Sequence, residues 1–146
     1  MTDRTILMIE DSDEDYVAVR RIFEKSGYDF RLERAVNADQ ALAFLLSGSL
    51  AEDHRSSLPS LILLDLNLPG LDGRALLSQL KTDTRFKEIP VVILTTSNDP
   101  RDVLYCYRNG ANGYQLKAVG FKRFFNSIKS MISYWFETAT LPSAVN

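Results

Sequence analysis

Five polar residues stand at the ends of short runs that we predict to be β-strands. They are Glu10, Asp11, Asp65, Thr95 and Lys117. An aspartate can act as a nucleophile, and carboxylates are ligands for a hard divalent cation. A hydroxyl and a compact ammonium both suit phosphoryl oxygens. We therefore interpret the set as an aspartate nucleophile, a metal site and two phosphate-binding groups.

The three carboxylates of this set should repel one another if they meet. At about 4 Å and an effective dielectric constant near 20, each pair costs about 4 kcal/mol. Either their pKa values rise or a cation lies among them. Mg²⁺ usually takes one or two carboxylates together with phosphate oxygens and waters, so the sequence predicts Mg²⁺ at this position.

Apolar runs and helical patterns alternate five times along the chain, which predicts an α/β fold with a parallel sheet covered on both faces. The predicted strands are Thr5–Ile9, Phe30–Val36, Leu61–Leu64, Val91–Leu94 and Gly113–Lys117. The predicted helices are about 13–25, one beginning at Asn37, 72–80, one beginning at Asp99-Pro100 and ending at Asn109-Gly110, and a long amphipathic helix from Phe121.

The composition of the strands predicts their order in the sheet. The first, third and fourth are continuously apolar, as central strands must be, whereas Arg31, Glu33 and Gln115 interrupt the second and fifth. We predict a doubly wound sheet of order 2-1-3-4-5, in which the carboxyl ends of the central strands meet at one crevice.

Four segments of the chain resemble the response-regulator receiver domains of two-component signalling. They are 6–11, 61–73, 91–95 and 110–117, and they are spread over nearly the whole chain. The resemblance implies a flavodoxin-like (βα)5 receiver fold, with Mg²⁺ as cofactor. It also implies that Asp65 accepts a phosphoryl group from a sensor histidine kinase.

The resemblance assigns roles to further residues. It implies that Asp11 and Asp65 bind Mg²⁺ directly, that Glu10 binds it through water, and that the backbone carbonyl of Asn67 completes the protein ligands. The resemblance assigns Thr95 and Lys117 to the phosphoryl oxygens, which agrees with the chemistry of their hydroxyl and ammonium groups.

We make separate predictions for two positions near the fifth strand, Tyr114 and Ala118. The resemblance places Tyr114 at an aromatic position that turns inward when Thr95 moves. The family usually has a cis proline after the lysine, but here Ala118 follows Lys117. A cis bond to a non-proline residue costs about 2.5–4 kcal/mol, so we expect a trans peptide.

The C-terminal region resembles a narrower group, the stand-alone regulators that partner bacterial phytochrome kinases. The matching segments are 133–142, 94–97 and 65–69. This resemblance implies a phytochrome-type kinase as partner and a homodimer formed by the extended C-terminal helix and tail. We expect residues 1–138 to form the receiver domain and 139–146 to form a tail with no output domain.

Three consecutive aromatic residues, Tyr134, Trp135 and Phe136, support the dimer. They span about 200° of a helix, so they cannot all face one core. A helix from Phe121 to Thr138 would be longer than the sheet and would carry these rings beyond the domain. We predict that they form a dimer interface with Val103, Leu104 and Tyr107 of the fourth helix.

Composition excludes several classes of function. The net charge of −2 gives no positive electrostatic field that would attract nucleic acid. No apolar run is long enough to span a membrane. One cysteine, Cys106, and one histidine, His54, leave no basis for a disulfide, a zinc site or a Ser-His-Asp triad. We expect a cytoplasmic protein, and the resemblance to receiver domains implies a phosphoacceptor that is not an enzyme but takes part in its own phosphorylation and dephosphorylation. We assign Asp13, Glu14 and Asp15 to the macrodipole of the first helix.

Two alternative functions stay open. The first is a phosphatase of the haloacid-dehalogenase type, which would need a second acid where this chain has Asn67. The second is a dimeric interaction module that works without phosphorylation, although the complete set of polar residues argues against it.

Overall fold

The computed structural model describes residues 4–51 and 58–144; His54 and the last two residues of the expected tail lie outside the described residues. The described part contains five strands and five α-helices in strict alternation. The strands are β1 (Thr5–Ile9), β2 (Arg31–Ala35), β3 (Leu61–Leu64), β4 (Val91–Thr95) and β5 (Gly113–Leu116). The helices are α1 (Asp13–Ser26), α2 (Ala38–Ser49), α3 (Gly73–Thr82), α4 (Pro100–Arg108) and α5 (Phe121–Ser133).

The sheet is parallel and has the order β2-β1-β3-β4-β5, so the predicted doubly wound topology is confirmed. Strands β1, β3 and β4 are buried along their whole length because helices cover both of their faces. Strands β2 and β5 lie at the edges and remain partly exposed. The polar residues that interrupt them therefore stay within reach of water.

Two apolar clusters hold the helices to the two faces of the sheet. One joins α2, α3 and α4 to the sheet through residues such as Leu45, Leu77 and Cys106. The other joins α1 and α5 through residues such as Ile22 and Ile128. Both faces of the central strands are thus dry, which leaves their carboxyl ends as the place where polar groups can collect.

Side-chain caps fix where the helices begin. The Asn37 side chain accepts a hydrogen bond from the backbone N–H of Gln40, and the Asp99 side chain accepts one from Arg101. The Gln40 side chain in turn accepts from the N–H of Val36, close to the predicted capping box. Both predicted helix starts are confirmed.

The expectation that the aromatic end of the C-terminal helix projects beyond the domain is wrong. Helix α5 ends at Ser133 and is followed by a π-helical turn, Tyr134–Thr138. This wider turn brings Phe136 parallel to Phe30 of the same chain, with ring centroids 5.0 Å apart. Trp135 is also half-buried against the α1–α5 side, so Tyr134 alone of the three rings is exposed.

The chain after this turn continues along the amino-terminal edge of the sheet. Tyr28 hydrogen-bonds to Glu137, Leu141 is buried, and Ser143 Oγ lies 2.9 Å from Ser60 Oγ in a hydrogen bond. The C-terminal segment is therefore fastened to its own domain, opposite the carboxyl ends of the strands. Within the described residues, no helix combines the length and the apolar character needed to cross a bilayer.

Candidate functional site

The register of the sheet brings the predicted acidic residues together. Ile9 at the end of β1 lies opposite Leu64 at the end of β3. The residues that follow, Glu10, Asp11 and Asp65, have carboxylate oxygens that all lie within 4.8 Å of one another. Glu10 and Asp65 are buried, whereas Asp11 is exposed to solvent. The predicted meeting of three carboxylates is confirmed.

Lys117, which follows β5, places its ammonium among these acids. Its Nζ lies 2.6 Å from Glu10 Oε1 and 3.1 Å from Asp65 Oδ2. The same nitrogen lies 2.8 Å from Asp15 Oδ2, on the first turn of α1. This contact was not predicted: a first-turn acid such as Asp15 is explained by the helix dipole and gives no signal of a partner 102 residues away.

The pKa values of Glu10 and Lys117 are both raised, which favours the neutral form of Glu10 and the charged form of Lys117. Burial raises the pKa of Glu10 to about 7, with the charge of Asp65 adding to the shift and Lys117 opposing it. Burial works to lower the pKa of Lys117, but hydrogen bonds to Asp15 and Glu10 outweigh it and raise that pKa. Lys117 therefore stays a cation throughout the physiological range.

Asp65 is held by the loop that joins β3 to α3. The backbone N–H of Asn67 donates to Asp65 Oδ1 over 3.3 Å, while Oδ2 faces Lys117. The start of α3 approaches the peptide group of Asp65 very closely. A Cβ atom added at Gly73 would lie 2.3 Å from the Asp65 carbonyl oxygen, so only glycine fits there.

Thr95 on β4 and Tyr114 on β5 lie on the side of Asp65 that faces away from β1. Thr95 is fully buried at the end of β4, and its Oγ1 accepts a 3.4 Å hydrogen bond from the N–H of Ser97. The Tyr114 hydroxyl donates to the carbonyl oxygen of Ser97 over 2.7 Å, and its ring packs against the apolar core. Tyr114 is thus turned inward, and Ser97 connects it to Thr95.

Backbone geometry agrees with the expectation for the loop after Lys117. No cis peptide bond occurs in residues 4–51 or 58–144, so Lys117 and Ala118 are joined in trans as predicted.

Cys106 is buried in α4, and burial raises the pKa of its thiol to about 11. An inert thiol of this kind has no part in the site.

Two arginines support the site, and neither was predicted. Arg34 on β2 donates from Nε to the Glu10 carbonyl and from Nη1 to the carboxylate of Asp13. Arg74 on α3 donates to the carboxylate of Asp102 on α4, and Ser97 Oγ donates to the same carboxylate. Arginines on a helix or strand surface are usually solvated, so their sequence positions carried no signal.

The donor set fits a hard divalent cation. It consists of carboxylate oxygens from Glu10, Asp11 and Asp65, close enough to contact one ion, and two of these residues are buried. One ammonium contacts three acids, Glu10, Asp15 and Asp65. Asp11 adds a further carboxylate within 4.8 Å of the cluster, so an excess of negative charge remains for a cation to balance. Burial raises the pKa of Glu10, and a bound cation would favour the charged form of this carboxylate.

The predicted dimer residues on α4 present a partly exposed surface. Leu104 and Tyr107 are half-exposed, whereas Val103 is more covered. Trp135 and Phe136 contact their own domain, so the surface available to a second chain is smaller than the sequence suggested.

Comparison with known proteins identifies the family to which this site belongs. The sequence profile of the response regulator receiver domain matches residues 6–129. The chain belongs to the response regulator receiver family. It is therefore a signalling protein of the two-component type.

Response regulator Rcp1 of Synechocystis is 40% identical over 141 residues, which cover 97% of this chain and 95% of Rcp1. The Mn²⁺-bound crystal structure of Rcp1 superposes with a TM-score of 0.86, covering 95% of this chain and 99% of that one. The phosphorylated cyanobacterial phytochrome response regulator RcpA is 34% identical, with a TM-score of 0.86 and coverage of 95% and 98%. The bacteriophytochrome response regulator RtBRR is 32% identical, with a TM-score of 0.70 and coverage of 99% and 86%.

Proposed function

We propose that Asp65 of this receiver domain accepts a phosphoryl group from the phosphohistidine of a sensor histidine kinase. One observation carries the proposal: the buried Asp65 carboxylate lies among two other acids and 3.1 Å from the Lys117 ammonium. A carboxylate oxygen of Asp65 forms a bond to phosphorus as the phosphorus–nitrogen bond to histidine breaks. Asp65 is thus the nucleophile, and the product is an acyl phosphate on its side chain.

Mg²⁺ is the cofactor that we assign to the acids. Asp11 and Asp65 would bind it directly, with Glu10 acting through water and Asn67 contributing its backbone carbonyl. When bound, the ion neutralises charge on the transferring phosphoryl oxygens. Lys117 supplies a second positive charge from the side of β5, and this charge is present at every physiological pH.

Thr95 and Tyr114 form the proposed switch. A phosphoryl oxygen on Asp65 offers the Thr95 hydroxyl a new hydrogen-bond acceptor, so Thr95 and the loop behind it move toward Asp65. Ser97 is the link, because its N–H bonds to Thr95 and its carbonyl accepts from Tyr114. The change at Asp65 is therefore converted into a rearrangement of the surface formed by α4 and β5.

The partner that we propose is a kinase of the phytochrome type. The likeness to the phytochrome response regulator RcpA and to the bacteriophytochrome response regulator RtBRR supports this choice. Signalling would then proceed through protein contacts or onward phosphoryl transfer.

The haloacid-dehalogenase alternative is disfavoured because the Asn67 amide cannot transfer the proton that a second acid supplies.

Phosphorylation with acetyl phosphate and Mg²⁺ tests the acceptor. Intact-protein mass spectrometry should find one added phosphoryl group on the wild type and none on Asp65→Asn. Asp13→Asn is the control, because it removes an equal charge from an exposed carboxylate and should still be labelled. Labelling of Asp65→Asn at the wild-type rate would exclude Asp65 as the nucleophile.

We also propose that the protein forms a homodimer through the exposed side chains of α4 and the C-terminal turn. Leu104, Tyr107 and Tyr134 are each half-exposed, and a second copy would cover them by two-fold symmetry. Light scattering should give twice the chain mass for the wild type and a lower mass for Leu104→Glu. An unchanged dimer in that variant would rule out α4 as the interface.

A further inference from the structure

We propose that Asp15 is a positioning residue for Lys117, which it draws toward α1 and away from a closer contact with Asp65. This inference rests on the proposed function, because it concerns how the Asp65 site is kept open. It gives a role to a residue outside the strand ends at which the other site residues lie.

The three contacts of the Lys117 ammonium carry the inference. Glu10 and Asp15 are its nearer partners, at 2.6 and 2.8 Å, and Asp65 is the farthest, at 3.1 Å. The side chain of Lys117 is only 9% exposed, so little water reaches its ammonium. Its position is therefore decided by the balance among these three carboxylates.

Asp15 is the one member of the three that stands outside the metal cluster. Glu10 and Asp65 both belong to the group of oxygens within 4.8 Å, whereas Asp15 reaches Lys117 from the first turn of α1. An attraction toward Asp15 therefore opposes closer pairing of Lys117 with Asp65, its farthest partner. Without Asp15, the ammonium would move closer to Asp65 while keeping its contact with Glu10.

Two consequences for cation binding have the same sign. Loss of Asp15 removes a negative charge close to the cluster, which weakens attraction for a divalent ion. Loss of Asp15 also lets Lys117 compete more strongly with the cation for Asp65. A neutral residue at this position should therefore lower Mg²⁺ affinity by more than its charge alone would.

The first-turn position provides a matched control. Glu14 is adjacent to Asp15 on the same turn, carries the same charge and has an exposed side chain. Both residues face the same end of the α1 dipole, so Glu14→Gln measures the general effect of charge. Asp15→Asn measures that effect together with the loss of the Lys117 contact.

Titration calorimetry with Mg²⁺ on the full chain tests the inference. Asp15→Asn should weaken Mg²⁺ binding roughly fivefold, and Glu14→Gln less than about twofold. Asp15→Glu keeps the charge and should restore affinity to within about twofold of the wild type. Equal losses in Asp15→Asn and Glu14→Gln would overturn the inference, and absence of Mg²⁺ binding by the wild type would instead contradict the proposed function.

Urea unfolding in EDTA tests the contact without any metal. In the wild-type background Asp15→Asn should move the unfolding midpoint to lower urea, because Lys117 loses a partner. In the Lys117→Met background it should leave the midpoint unchanged or raise it, because a repelling acid is removed. The same midpoint shift in both backgrounds would show that Asp15 does not act on Lys117.

Discussion

Arg74 donates two parallel hydrogen bonds of 2.7 Å to the carboxylate of Asp102, from Nε to Oδ1 and from Nη2 to Oδ2. The pair joins the first turn of α3 to the first turn of α4. Ser97 Oγ also lies 2.5 Å from Asp102 Oδ2 and donates to it. The helix that follows the Asp65 loop is thereby connected to the loop that follows Thr95.

Arg74→Met should lower the free energy of unfolding by about 1–2 kcal/mol, because it removes a bidentate, charge-assisted pair that is largely shielded from water. Urea unfolding at neutral pH measures the change. Arg101→Met is the control, since Arg101 pairs with Asp99 but is 90% exposed and should cost less than about 0.5 kcal/mol. Equal losses in the two variants would contradict a special role for the Arg74 pair.

The same pair predicts a dependence of stability on acid pH. Hydrogen bonds from Arg74 and then Ser97 lower the pKa of Asp102 from 3.8 to about 2. Because the folded-state pKa is the lower one, the stabilisation is present above about pH 4 and is lost as the pH falls toward 2. The difference in unfolding free energy between wild type and Asp102→Asn should therefore shrink over this interval. A difference that stays constant from neutral pH to pH 2 would show that the charge of Asp102 is not involved.

Lys117→Met should destabilise the metal-free protein by about 3 kcal/mol, because buried acids lose their cation. Mg²⁺ should restore more thermal stability to this variant than to the wild type, since the ion neutralises the same carboxylates. Thermal unfolding in EDTA and in Mg²⁺ measures both effects. Lys81→Met is the control: Lys81 donates to the carbonyls of Lys87 and Ile89, so its loss should not respond to Mg²⁺.

Phe136→Ala should lower the unfolding free energy by about 1–3 kcal/mol, because the ring stacks on Phe30 and Tyr28 of the same chain. Tyr134→Ala should have less effect on unfolding, since Tyr134 is half-exposed. Chemical unfolding of both variants at several protein concentrations separates folding from association. If Phe136→Ala kept full stability while losing the dimer, the original interface prediction for this residue would regain support.

The topology and most of the site were predictable from local patterns. Polar interruptions at Arg31, Glu33 and Gln115 marked the edge strands, because only an edge strand can expose such side chains. Parallel strands of known order then placed their end residues in one crevice, which required no knowledge of side-chain conformation. Strand ends are therefore the part of a site that sequence reveals most directly.

The errors concern contacts that depend on side-chain reach or on the exact pitch of a helix. Asp15 has a first-turn position that is fully explained by the dipole, so its contact with Lys117 had no separate signal. A regular 3.6-residue period carried Phe136 away from the domain, but the observed π-helical turn rotates it back onto Phe30. The direction of a side chain after one irregular turn cannot be read from periodicity.

No side chain fits at Gly73, because even a methyl carbon would lie 2.3 Å from the carbonyl oxygen of Asp65. This close contact leaves little room between Asp65 and the start of α3. We expect strain created at Asp65 to meet more resistance on that side. We expect it to be relieved across the crevice, where Thr95, Ser97 and Tyr114 are joined by single hydrogen bonds that can break and reform. Close packing on one flank thus gives the response of the domain its direction.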